Sequence, residues 1–517
     1  MRRRSLTFAP LWLLASACGS PATNADEPAA ATPAAGAGTP TPTPTSDPPP
    51  RVDEPPAPSA ARAPNPSPIE AAPVWRTLAT GDDHTCALVR AGDEPRNRVK
   101  CWGENGDGQL GLGDTKTRGR TRAEMGDALP FVRLPDDADL VAIDAVHRRS
   151  CALSRDGRLW CWGDNSMGEL GLGDTRSRGS EPTDMAGLPP VELPGPITAF
   201  SMGESHTCAV LDDGAVHCWG DGSSGQLGRG DATRRGDDPG ELGAAAHPVE
   251  LGGGRRALGV AAGGSHTCVL MTDGDVKCFG EGRYGALGLS DTRSRGADAR
   301  DMGDALPAVA LGEFRAAEVG AGGLHSCARS TDSEIVCWGG NRAGQLGIGH
   351  SDSPGGKPGQ SSTPPPGGDA RPRVDLGTGA RAVAIALGNA TSCALLERGD
   401  GAATADTLVK CWGGRYGGAA PNEMGDHLES LDFGPDVVPI AIAPNAMHSC
   451  AIVVERVRAF GPTPPTTGHV KCWGVDVPGV GIGHGTGIPE RARSETMHDA
   501  TSMVDLGKDV RVVLPSR

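Results

Sequence analysis

The chain has no surplus of basic charge: 49 Lys and Arg stand against 64 Asp and Glu, for a net charge of −15. Nucleic-acid binding relies on basic patches that neutralise phosphate, so this balance argues against a nucleic-acid partner. Local catalytic signatures are missing as well. There is no Gly-x-Ser-x-Gly elbow, no His-Glu-x-x-His and no P-loop. No Cys-x-x-Cys redox pair occurs, no closely spaced zinc ligands and no EF-hand loop. Strings such as Gly106-Asp107-Gly108-Gln109-Leu110-Gly111 have no helix after them to hold a pyrophosphate. Neither a cofactor nor a metal is expected, and no catalytic residue. Helical periodicity is absent, and beyond the N-terminus no stretch is long and apolar enough to cross a bilayer.

What is present begins with MRRRSLTFAPLWLLASAC, residues 1–18. Three arginines, a short apolar run and small residues before Cys18 resemble a bacterial lipoprotein signal, although Ala15 stands where the usual box has Leu. The expectation is a signal peptide over 1–17 and lipidation of Cys18; an ordinary cleaved secretory signal is the alternative. Removing residues 1–17 takes away three arginines and no acid, leaving a charge near −18. Residues 18–73 then carry Pro, Ala, Thr and Ser with hardly a large apolar side chain. Such a segment cannot bury enough surface to offset its ordering entropy. It reads as a disordered tether that reaches about 170 Å when fully extended.

From residue 74 the chain is periodic. Cysteine pairs fall at 86/101, 151/161, 208/218, 268/278, 327/337, 393/411 and 450/472, the first member recurring every 57–66 residues. Setting Cys18 aside, the other 14 of the 15 cysteines form seven pairs with no remainder. Each unit reads as a short apolar run, a Gly-x-x-His-Thr-Cys phrase, a turn, a strand ending Cys-Trp-Gly, a Gly-Gln-Leu-Gly loop, a long polar loop and a Val-x-Leu run. The approximate units are 74–134, 139–193, 197–251, 257–311, 315–376, 380–433 and 437–506, with an extra strand over 510–514. Four short β-runs repeated in this way predict an all-β, seven-bladed β-propeller over 74–514. The surplus strand predicts closure beside the first or last blade, or displacement of Trp75–Ala79.

The phrases HTCAL (84–88), CWGENGDGQLGLG (101–113), SHTCAVLDDGAVHCWGDGSSGQLG (205–228) and CWGGNRAGQLGIG (337–349) resemble the RCC1 repeat of the chromosome-condensation regulator family. The resemblance implies a seven-bladed propeller. For the nuclear founder it implies guanine-nucleotide exchange and chromatin binding. For other members it implies plain interaction platforms, and for one secreted bacterial type inhibition of a β-lactamase through its loop face. Units six and seven depart from the pattern after their tryptophan.

The cysteine spacing has its own geometry. If Arg155-Asp156-Gly157 is a three-residue hairpin loop with Gly157 left-handed, Cys151 falls opposite Cys161 on a non-hydrogen-bonded pair. The same count works at Asp212-Asp213-Gly214 and Thr272-Asp273-Gly274, and at Thr331-Asp332-Ser333 with Ser in the glycine place. In an exported protein, disulfides Cys86–Cys101, Cys151–Cys161, Cys208–Cys218, Cys268–Cys278, Cys327–Cys337, Cys393–Cys411 and Cys450–Cys472 are expected; reduced, buried thiols are the alternative. The recurring His84, His206, His266, His325 and His448 read as structural hydrogen-bonders, with Arg149 and Thr391 in that place elsewhere. The tryptophans after the second cysteine read as packing between blades. The Asp/Arg-rich long loops read as ordered surface with local pairing.

Fold alone does not set function. The leading expectation is a non-catalytic, monomeric binding scaffold of the bacterial cell envelope, on the outer membrane or cell surface. It touches the membrane only through its N-terminal lipid and presents loops to a protein or glycan partner. The alternatives are an envelope hydrolase or lyase with a site at the propeller mouth, and an exported inhibitor of a cell-wall enzyme.

Overall fold

The computed structural model describes residues 76–135, 137–353, 371–398, 406–445, 447–456, 465–474 and 503–515. Cys18, the signal region, the tether and Trp75 lie outside the described residues. Those described all belong to one compact unit, Pro64–Arg517.

Each repeat folds into an antiparallel sheet whose inner, middle and outer strands follow chain order. The inner strands are Leu78–Thr80, Leu140–Val146, Ile197–Met202, Ala257–Ala262, Ala316–Ala321, Ala380–Leu387 and Val437–Pro444. The middle strands are His84–Ala91, Arg149–Ser154, His206–Leu211, His266–Met271, His325–Ser330, Ser392–Arg398 and His448–Glu455. The outer strands are Arg98–Gly103, Leu159–Gly163, Val216–Gly220, Val276–Gly280, Ile335–Gly339, Asp406–Trp412 and Thr467–Gly474. Alternation packs one face of each sheet on the preceding blade and the other on the next. Clusters such as Cys151, Leu153 and Leu159 with Ala209 and Trp219 therefore lie between blades rather than inside one.

The middle–outer register places Cys151 opposite Cys161, Ala152 opposite Trp160 and Leu153 opposite Leu159. Gly157 turns the hairpin at φ 82°, and Ser333 does the same at φ 69° in the unit that lacks the glycine. All seven cysteine pairs are disulfides, with Cα separations of 4.0–4.1 Å.

The Val-x-Leu runs differ from the expectation of a fourth strand. None continues the ladder: Val132 N–H donates to Val99 O at 2.9 Å, Val191 to Leu159 at 2.8 Å and Val309 to Val276 at 2.8 Å, and units five and six add only the isolated bridges Val336↔Arg373 and Lys410↔Ser430. Three residues between a long loop and a Leu-Pro or Leu-Gly exit are too few to continue the pairing, so the blades are three-stranded with a docked fourth run.

Closure uses both chain ends. Leu78–Thr80 pairs only with Ala87–Thr85. The rest of that middle strand, Val89–Ala91, pairs with the C-terminal strand Val510–Val513. That strand also pairs with Thr467 and Gly468 of the seventh unit. The first unit's inner strand is thus assembled from two distant pieces, and the first and last sheets merge into one of seven strands.

Candidate functional site

The ring has two ends. One, here the hairpin face, carries the middle–outer hairpins. The other, the turn face, carries the inner–middle turns and the loops after Cys-Trp-Gly. The inner strands line an axial channel of about 290 Å³ between them.

Most of the residues that recur in the sequence are used between blades. His84 Nε2 lies 2.9 Å from Ser150 Oγ of the next unit. The same contact joins His206 to Thr267, His266 to Ser326, His325 to Ser392 and, across the closure, His448 to Thr85, at 2.8–2.9 Å. The hydroxyls already donate to main-chain carbonyls of the Gly-Gln-Leu-Gly loops: Ser150 to Gln109 at 3.0 Å, Thr267 to Gln226 at 2.8 Å and Ser392 to Gln345 at 2.8 Å. A hydroxyl has one proton, so in these pairs it accepts from Nε2–H, which sets the imidazole tautomer. The tryptophan indoles converge on the same carbonyls, Trp162 on Gln109 and Trp412 on Gln345 at 2.9–3.0 Å.

The glycine three residues before each of four of these histidines is explained by the same packing. A Cβ on Gly81, Gly203, Gly263 or Gly322 would overlap the imidazole. Burial pushes His84, His206 and His325 down to about 3, and His266 and His448 down to about 4. The unfolded chain takes up these protons below about pH 6.5, whereas the folded ring does not until about pH 3–4. Their contribution to stability is therefore complete above pH 6.5 and is lost as pH falls, by about 2 kcal/mol per histidine at pH 5. Calorimetry is expected to show the melting temperature falling steadily from pH 7 to 4.5, with a shallower fall in His206→Gln.

Two links of this ring are different. Arg149 replaces the histidine of the second unit and donates to the carbonyls of Gly203 at 2.6 Å and Glu204 at 3.0 Å. It also pairs with Glu169 at 2.9 Å, both side chains being almost fully buried. Thr391, in the sixth unit, is too short to reach the seventh, and Ser449 Oγ has no partner among the described residues.

The long loops are also internally satisfied. Asp114–Arg118, Asp174–Arg178, Asp231–Arg235 and Asp291–Arg295 form ion pairs at 2.7–2.9 Å. The arginine main chain bridges the glycine after Cys-Trp, as at Gly103↔Arg118. The Met-Gly-Asp loops have a partner that sequence reasoning missed. Lys410 Nζ donates to Leu376 O at 2.9 Å and Gly425 O at 2.8 Å, joining the Val-x-Leu run of the fifth unit to the Met424-Gly425-Asp426 loop of the sixth. Lys277 does the same with Leu251 and Gly303, and Lys100 with Leu506 and Gly126. Burial holds the ammonium groups of Lys100 and Lys277 below their usual pKa, and Lys410 is likewise buried. The available signal was coincidence: Lys two residues before the aromatic residue of Cys-Trp or Cys-Phe accompanies Met-Gly-Asp in units one, four and six.

Within the channel wall the charged groups are paired: Arg76 with Asp144 at 3.4 Å and Glu318 with Arg329 at 2.9 Å. The turn-face end differs. Among the described residues Glu204 accepts from Asn389 alone, at 3.3 Å, and burial, opposed by nearby His147, raises its carboxyl pKa. Burial, followed by Asp82 and Glu104, raises that of Asp83. Among the described residues no cluster of three or more His, Cys, Asp or Glu is placed to hold a metal.

Comparison with known proteins agrees with this architecture. A family model described as RCC1-like domain matches residues 98–510, and one for the regulator of chromosome condensation (RCC1) repeat matches residues 75–109. The ultraviolet-B receptor UVR8 of Arabidopsis thaliana is 28% identical over 53% of this chain and 55% of the receptor. The probable E3 ubiquitin-protein ligase HERC6 of Homo sapiens is 31% identical over 45% of this chain and 21% of the ligase. The chain thus spans about half or less of these relatives. Yeast RCC1 (Prp20), solved bound to Kap60, superposes with a TM-score of 0.55 at 16% identity, over 90% of this chain and 97% of that one. Human WBSCR16 superposes with a TM-score of 0.51 at 15% identity, over 72% and 85% of the two chains. At such identities the likeness is one of fold, and with the family match it establishes that this chain belongs to the RCC1-like domain family.

Proposed function

We propose that this protein is a non-catalytic binding scaffold of the bacterial cell envelope, held by a lipid on Cys18 and a tether, that engages a protein partner through the turn face of its propeller. One observation carries the reading. The recurring histidines, lysines and Asp–Arg pairs, which are the residues a repeated reactive site would need, are committed to contacts that hold blades and loops together. What varies from unit to unit includes the surface of the turn face, where the residue after Cys-Trp-Gly or Cys-Phe-Gly is acidic in units one to four and glycine in units five and six. A rigid ring with a variable rim suits recognition more than turnover.

Two experiments test this together. Cys18→Ser is expected to move the protein from the membrane fraction to the soluble fraction of the cells that make it. A photo-cross-linking residue at the turn face, at Leu324, is expected to trap a discrete partner, while one at the hairpin face, at Asp213, traps none. Turnover of peptidoglycan or polysaccharide fragments by the purified ring would overturn the reading.

A further inference from the structure

The turn face carries three features beyond the histidine and lysine links that join the blades. The first is the channel itself, whose wall is small and aliphatic, with Val260, Val319, Ile385 and Ile442 among its lining. The second is apolar exposure. The large hydrophobic side chains that stand out to solvent among the described residues are Met167, 36% exposed, and Leu324, 37% exposed. Both are on this face, Met167 in a loop after Cys-Trp-Gly and Leu324 in an inner–middle turn. The third is charge. The residue after Cys-Trp-Gly or Cys-Phe-Gly is Glu104, Asp164, Asp221 and Glu281 in units one to four, but glycine in units five and six. Arg120 faces Glu104 at 3.9 Å and Arg283 faces Glu281 at 3.5 Å, while His147 and Arg148 of the same face pair with Asp82 and Asp107; Asp83, Asp164, Glu204 and Asp221 form no ion pair among the described residues.

We propose that the turn face docks a cationic protein segment, with one Lys or Arg side chain entering the channel mouth beside Glu204, its methylene stem against the aliphatic wall, and flanking apolar residues on Met167 and Leu324. This rests on the scaffold reading and names its partner's chemistry. Charge complementarity selects the occupant: an anionic segment would meet the carboxylates of Asp83, Asp164, Glu204 and Asp221, which no ion pair neutralises among the described residues, and the chain as a whole carries −15. The apolar pair distinguishes a peptide from a bare cation, because a small cation has nothing to place there.

The test uses the full chain and a fluorescein-labelled peptide of alternating Lys and Leu, with its Glu and Leu counterpart, followed by anisotropy at low and near-physiological salt. The Lys peptide is expected to bind and the Glu peptide not. Glu204→Gln with Asp83→Asn is expected to weaken binding by about 10-fold or more. Leu324→Ser with Met167→Ser is expected to weaken it by about 5-fold even where salt screens the charges. Asp213→Asn with Asp332→Asn, exposed on the hairpin face, is expected to leave it unchanged, with circular dichroism confirming that each variant is folded. Equal weakening by the hairpin-face pair, or full competition by spermidine, would overturn the proposal in favour of diffuse polyanion attraction. Cross-links that formed only from the hairpin face would sink this inference and the turn-face assignment while leaving a binding scaffold standing; none from either face would sink both.

Discussion

Replacing Glu169 with Gln is expected to lower the stability of the ring by about 3–5 kcal/mol, read from urea unfolding with the disulfides intact. The change is nearly isosteric, and the loop does not need the charge. Glu169 Oε2 accepts from Met167 N–H at 2.7 Å, and in the sister loops the Gln109 and Gln345 amide oxygens accept from the equivalent position at 2.9 Å. What is lost is the counter-charge of Arg149, which is 1% exposed. Arg149→His alone is expected to be no better, because Val146 stands three residues earlier, where four of the histidine-bearing units have the glycine that leaves room for the imidazole. The combined change Val146→Gly, Arg149→His and Glu169→Gln rewrites the link in the form of its neighbours, with Thr207 as the hydroxyl partner. It is expected to return stability to within about 1 kcal/mol of the starting protein, since interacting sites are strongly non-additive. If the triple variant is as unstable as Glu169→Gln, Arg149 and Glu169 are not an exchanged version of the histidine link.

Val512→Asp is expected to open the ring. Val512 is fully buried, in a cluster with Val89, Ile452 and Val470, and its strand is the only described segment that pairs with both the first and last units. A carboxylate there has no partner, and the cost is about 4 kcal/mol. The consequence is local as well as global. Hydrogen exchange is expected to quicken at Val89–Ala91 and at Thr467 and Gly468, while the middle blades stay protected. Arg511→Ala, on the exposed side of the same strand, is the control and is expected to change neither. Unchanged exchange in the first and last blades of Val512→Asp would mean that this strand does not hold the ring shut.

Much of this architecture is legible locally. The hairpin count from Gly157 places Cys151 opposite Cys161 because strand pairing alternates with period two and a turn residue pins the register. The histidines and tryptophans are recognisable as structural because they recur. The partners of Lys100 are not legible: Leu506 lies 406 residues away, and nothing near the lysine distinguishes a buried bridge from a solvated cation. The glycine before four of the histidines reads as a turn glycine until the imidazole is seen against it.

By itself, the sequence of this protein determined what depends on short spacing: strand alternation, turn chemistry, the pairing of neighbouring thiols and the number of units. Only the tertiary structure decided how the ends meet, that Val-x-Leu docks without continuing the ladder, which carboxylates of the turn face stay without an ion pair, and that Arg149 and Glu169 answer each other. Those depend on which distant segments curvature brings together. That is a property of the closed ring, which requires every blade before any one contact across the closure can form.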